Sequence, residues 1–173
     1  MSESTPDYKA ALAASDYESF KARIRDWQLA MGQPLGDPKF ASQQLKYVEE
    51  EWGELLEAQL YGTLNDEVDA IGDIAFTLVG LENAGGPSHV NKAWLTLELI
   101  CGQRGLSLAK ILERICVSNE TKFWREEDAV THCARFDGHI RQLVNGRWVV
   151  RGISSNKVVK PPTYKAPDFT GII

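Results

Sequence analysis

The chain has 173 residues, 43% apolar and 25% charged, the proportions of an ordinary soluble globular domain. Its net charge of −5 argues against a protein that coats nucleic acid or a membrane surface, and no apolar run approaches the ~18 residues of a membrane span. Met1 to Asp7 lack a basic segment followed by an apolar one, and Cys101, Cys116 and Cys133 are odd in number and widely spaced, so a reduced, cytoplasmic protein without a secretory leader is expected.

Residues 1–14 are polar or small and read as a frayed lead-in. Ser15-Asp-Tyr-Glu18 has the form of a capping box, and Phe20, Ile24, Trp27 and Met31 recur at helical steps. Gly32 ends that helix. Asp37-Pro38 reads as a cap followed by proline at the first position of the next. Helix two is predicted over 39–61, with Leu45, Val48, Trp52, Leu55 and Leu56 as its core face. Gly62 stops it, and Thr63 with Asp66 caps helix three over 64–84. Its apolar set is Leu64, Val68, Ile71, Ala75, Leu78 and Val79, and Gly85-Gly86-Pro87 ends it. A fourth helix fits 89–103 through Val90, Trp94, Leu97 and Cys101. Ser107 caps a fifth, with Leu108, Ile111, Leu112, Ile115 and Cys116 inward.

Beyond Trp124 the pattern changes. Residues 126–136 suit one more short helix, and 142–150 read as a hairpin turning at Asn145-Gly146. The proline-bearing tail from Lys157 to Ile173 is expected to be extended. The expected architecture is one all-α domain over residues 1–173: a bundle of about five helices spanning about 15–124, with a small hairpin and extended tail as an appendage from about 125.

The chemistry-bearing stretch is Tyr47 to Glu57. Glu50, Glu51 and Glu54 lie three and four positions apart, on one helical face, where like charges repel. Asp66, Glu67, Asp69 and Asp73 follow on the next helix, and the short Gly62-Thr63 connection makes the two helices antiparallel neighbours. Two facing acidic surfaces call for something positive between them, and oxygen ligands of this kind suit Mg²⁺. A solvated charged face is the alternative. A ferritin-type di-iron site wants Glu-x-x-His on two helices, and none of His89, His132 and His139 has that spacing from these glutamates. His132-Cys133 with His139 does not complete a four-ligand zinc set.

Glu50-Glu51-Trp-Gly-Glu54 followed by Asp66-Glu-Val-Asp69-Ala-Ile-Gly-Asp73 resembles the signature of the all-α nucleoside triphosphate pyrophosphohydrolases, E-x-x-E and then E-x-x-D on the next helix. This superfamily includes MazG, the dimeric dUTPases and phosphoribosyl-ATP pyrophosphohydrolase. Gly105-Leu-Ser-Leu, Val117 to Phe123, and Lys157 to Asp168 are similar to later blocks of its phage and bacterial MazG-like branch, so the resemblance covers residues 15–125 and 155–170. Two features depart from the pattern. Ala70 stands where the second motif carries glutamate, leaving Asp69, or Asp66 and Glu67, to supply the oxygen. The stretch 126–153 is longer than the pattern and has no assigned role.

The resemblance implies a MazG-like bundle that hydrolyses a (d)NTP to the monophosphate and pyrophosphate with Mg²⁺ or Mn²⁺. Glu51, Glu54 and Asp73, then Glu50 and Asp69, are the implied metal ligands. Glu50 or Glu51 is the implied base for the attacking water. Asn119, Lys122, Lys157, Lys160 and Tyr164 are the implied phosphate-side residues. Lys46 reads rather as an i,i+4 partner of Glu50. Trp27, Tyr47 and Trp52 are the nearest aromatics for a base, with core packing the stronger reading of both tryptophans. The implied substrates are pool nucleotides, dGTP or GTP among them, and the phage-like tail suggests a virus-encoded enzyme acting in its host's cytoplasm. A homodimer or homotetramer is implied, with no nucleic-acid or membrane partner. The competing readings are a non-catalytic helical interaction module and an alarmone pyrophosphohydrolase; phosphoribosyl-ATP hydrolysis fits the C-terminal block less well.

Overall fold

The computed structural model describes residues 14–86 and 91–173, except the side chains of Ala14, Ser15 and Asn91. The elements are α1 (Ala14–Ala30), α2 (Pro38–Tyr61), α3 (Leu64–Asn83), α4 (Asn91–Arg104), α5 (Leu108–Glu120), α6 (Glu126–Arg135), β1 (His139–Val144) and β2 (Arg147–Gly152). The Ser15 cap, the lead-in before Ala14, Pro87 and Val90 fall wholly or in part outside the described residues. No described helix is long and apolar enough to cross a membrane.

The buried helix is α3. Val68, Ile71, Ile74, Ala75, Leu78, Val79 and Leu81 are all at most 1% exposed, because its sequence is apolar on nearly every side. It packs against α1, α2, α4 and α5. Gly72 makes the α5 contact possible: a Cβ there would lie 2.4 Å from Ile115 Cγ1 and 2.9 Å from Ile111 Cγ2. Thr63 and Asp66 close the capping box at its start, and Asp37 caps α2 by accepting from Lys39 N. Two predicted core residues are not core. Leu56 is 60% and Leu64 45% exposed. With Leu60 and Tyr61 they are exposed apolar side chains of the last two turns of α2 and the start of α3.

The hairpin is longer than the predicted 142–150 but turns where expected. Asn145 (φ 47°) and Gly146 (φ 77°) are both left-handed, the geometry of the two-residue turn that matches strand twist. A second cluster of Trp124, Ala129 and Val150 joins α6 to the hairpin. The segment after β2 is tied in by Trp124 Nε1, which donates to Val159 O at 2.8 Å. The tail is extended, as expected, and its Phe169, 2% exposed, is buried in the main helical core.

Candidate active site

Val48 and Leu55 of α2 and Val68, Ile71 and Ala75 of α3 belong to one apolar cluster, while carboxylates of both helices line a cleft. Glu50, Glu51, Glu54 and Asp73 line a cleft of about 320 Å³. Glu54 and Asp73 are shared with an adjoining cleft that Asp69 and Asp66 also line. Burial, then the charges of Asp73 and Glu54, push the Glu51 carboxyl up to about 8. Burial and the charge of Asp69 push Asp73 up to about 7. Asp69 is raised by burial, against the pull of Lys160. Glu50 is exposed at the rim.

The positive charge that the two acidic faces call for comes from outside both helices. Lys122, just beyond α5, lines the same cleft. Burial pulls its pKa down, while Asp73, Glu51 and Asp69 hold it up. Among the described residues it closes no ion pair, so its ammonium remains available to an incoming anion. The tail supplies the second cation. Lys160 lies 4.4 Å above the Tyr164 ring and lowers the pKa of both Asp69 and Asp73. Ser118 Oγ, within 3.2 Å of Tyr164 Oη, donates to Lys165 O at 2.8 Å, and Thr121 Oγ1 accepts from Lys165 N. Asn119 and Lys157 complete this side of the cleft, Asn119 buried and Lys157 exposed.

Two of the three acids beside Ala70 are engaged within the fold. Asp66 Oδ2 accepts from Thr63 N and Thr63 Oγ1 and is committed to the cap. Glu67, 4% exposed, is paired with Arg104 of α4 at 2.7 Å and accepts from Gln59. Asp69 remains: it faces Glu54, Lys122 and Lys160, and its Oδ1 is buried without a hydrogen-bond partner. Ala70 itself packs in the apolar cluster. The Lys46–Glu50 pair does not form among the described residues; Lys46 is exposed.

The oxygen donors of Glu51, Glu54, Asp69 and Asp73 suit a hard divalent cation, and the orphaned Asp69 oxygen is the kind of ligand such an ion satisfies. Among the described residues no three acidic, histidine or cysteine side chains close around a metal-sized point. Glu54 and Asp73 stand between the two adjoining clefts, with Glu51 on one side and Asp69 on the other.

The other end of the same cleft holds residues not anticipated from the sequence: Gln28, Gln33, Gln44, Arg151 and Asn156. Gln28 and Gln44 sit at helical steps from Ile24 and Val48, so a polar residue on an apolar stripe was their signal. Trp27 packs edge-on to Phe76 at 5.1 Å and donates from Nε1 to Asn119 O, while lining the cleft. Tyr47 lines it too, whereas Trp52 packs on the core. His132 Nε2 and His139 Nδ1 share a 2.7 Å hydrogen bond in stacked rings. No family model, curated protein or solved structure matches the chain.

Proposed function

We propose that the chain is a divalent-metal-dependent (d)NTP pyrophosphohydrolase of the all-α, MazG-like class, acting on the nucleotide pool. The observation that carries this reading is a half-buried lysine, Lys122, that shares one cleft with Glu51 and Asp73 and feels the charge of Asp69 beside it. A solvated acidic face leaves its carboxylates to water, whereas a polyphosphate needs cations to bind and carboxylates to act.

In this reading the triphosphate lies along the cleft, its charge met by Lys122 within and by Lys160 and Lys157 at the tail side. A divalent ion held by Glu51, Glu54, Asp69 and Asp73 would neutralise phosphate charge and acidify the attacking water. Glu51, where one of its oxygens is left free by the metal, would accept the proton from that water. Glu50, at the rim, is the alternative acceptor. The water oxygen bonds to the α-phosphorus, the bond to the α–β bridging oxygen breaks, and pyrophosphate leaves toward the lysines. Tyr164 positions Lys160 by ring contact. Asn119, through its main-chain bond to Trp27, joins the phosphate side to the aromatic side.

The exposed apolar end at Leu56, Leu60, Tyr61 and Leu64 supports self-association as a homodimer or homotetramer through the α2–α3 turn. The test of function is product identity. Incubation with each (d)NTP and Mg²⁺ or Mn²⁺ is expected to give monophosphate and pyrophosphate in equal amounts. Orthophosphate as the first product would mean that a different bond is cut, and no product from any nucleotide would favour an interaction module.

A further inference from the structure

The end of the cleft away from the carboxylates is polar for no reason that phosphate chemistry requires. Gln28, 1% exposed, lines it. Its Nε2 donates to Gly80 O at 3.1 Å, which fixes the orientation of the amide. Its Oε1 is left buried and without a partner. Gln33 Oε1, on the same wall, is likewise buried and unpartnered. Buried acceptors are almost always satisfied, so two bare ones in one cleft call for a donor from a ligand or from water. Gly80 makes room for this arrangement: a Cβ there would lie 3.1 Å from Gln28 Nε2 and 3.0 Å from Gln44 Oε1. Trp27 and Phe76 supply flat apolar surface beside the amides.

The outer wall comes from the hairpin, part of the stretch for which the sequence offered no role, and from the residues just after it. Arg151 of β2 donates from Nη2 to Met31 O at 2.5 Å and from Nη1 to Asn156 O at 3.0 Å. Asn145 Nδ2 donates to Leu29 O at the hairpin tip. These bonds hold the hairpin against the end of α1, and Arg151, Asn156 and Val158 then line the cleft. The appendage thus encloses the amide end and leaves the carboxylate end to α2 and α3.

Building on the nucleotide reading, we propose that this enclosed end reads the nucleobase and selects one that carries an exocyclic amino group, with Gln28 Oε1 as the acceptor. An amino group offers two hydrogens and can serve the oxygens of Gln28 and Gln33 together. Uracil and thymine offer one imide N–H flanked by two carbonyl oxygens, which would face these acceptors with like partial charge. A site built to bond a substrate N–H discriminates strongly against analogues lacking it, because its own polar groups are then stranded.

The test is calorimetric binding of α,β-methylene nucleotide analogues with Mg²⁺, in matched pairs: cytosine against uracil, and adenine or guanine against hypoxanthine. At least one amino-bearing member is expected to bind tenfold or more tightly than its counterpart. Gln28→Met, which keeps the shape and removes the acceptor, is expected to bring that ratio near one. Gly80→Ala, which displaces the same amide, does so if Gln28→Met fails to fold. Equal binding within every pair would overturn the proposal and assign the bare oxygens to water, as would a ratio that survives both variants. Hydrolysis of all bases alike would overturn base selection and leave the pyrophosphohydrolase standing. Discrimination in binding without hydrolysis would do the reverse, and no binding of any analogue would overturn both.

Discussion

Ser118 Oγ donates to the backbone carbonyl of Lys165 across 47 residues of chain, at 2.8 Å, and through it the C-terminal tail is fixed beside the end of α5. Ser118 is 5% exposed and four residues before Lys122. The bond therefore holds the tail that carries Lys160 near Lys122, and both cations pull down the pKa of Asp69 and Asp73. Ser118→Ala leaves the Lys165 carbonyl to water and the longer, 3.5 Å contact from Thr121 Oγ1, and is expected to cost about 1 kcal/mol. The readout is amide exchange over residues 160–169, which should accelerate, together with a several-fold higher KM at little-changed kcat. Unchanged protection there would detach the tail from the site.

Gly72→Ala tests the packing that seats α3. The added methyl meets Ile115 and Ile111 of α5, side chains that are themselves fully buried. Overpacking of this kind costs about 1–3 kcal/mol. A thermal midpoint lower by several degrees is expected. Ile115→Val, made together with Gly72→Ala, should recover part of the loss.

The acidic cleft makes stability depend on pH. Folding raises Glu51 from 4.5 to about 8 and Asp73 from 3.8 to about 7. The folded chain then holds protons that the unfolded chain has released, so each rise in pH between about 4.5 and 8 favours unfolding. After allowance for solvent screening, the loss across that window is on the order of 2 kcal/mol. The melting temperature of the metal-free chain is expected to fall between pH 6 and 8. Glu51→Gln should flatten the slope, and millimolar Mg²⁺ should reverse it by binding the deprotonated set. A metal-free melting temperature that rises over this range would contradict the burial of these acids.

The apolar end of the α2–α3 hairpin is a second exposed liability. Tyr61 is 85% and Leu60 70% exposed. Leu60→Asp with Tyr61→Asp should convert an oligomer to a monomer in light scattering while circular dichroism stays helical. A parent chain that is monomeric at all concentrations would remove the role assigned to this patch.

The residues that announced themselves in the sequence are those whose signals are local. Thr63 with Asp66, Asp37 with Pro38, and Asn145 with Gly146 each set a boundary within a few residues, and each stands where expected. The stripe through Val68, Ile71, Ala75 and Leu78 likewise located the core. Leu56 and Leu64 followed the same periodicity and are exposed, because periodicity reports a face and not whether a neighbour covers it. Lys160 comes near Asp69 and Asp73 through a tail docked by Phe169 and Ser118, contacts tens of residues apart that no local pattern encodes. Gln28 and Gln44 were legible in principle, as polar residues on apolar stripes. Arg151 was not, since its place depends on how the hairpin folds back on α1.

The most direct test of the central claim is pyrophosphate release by Asp73→Asn and Glu51→Gln, compared with the parent chain at saturating Mg²⁺. Both variants put a neutral amide where the folded chain already favours a neutral acid and should fold at least as stably as the parent. Each is expected to lose a hundredfold or more in kcat while keeping the helical spectrum and the melting transition. Full activity in either folded variant would contradict the assignment of this cleft as the site of hydrolysis.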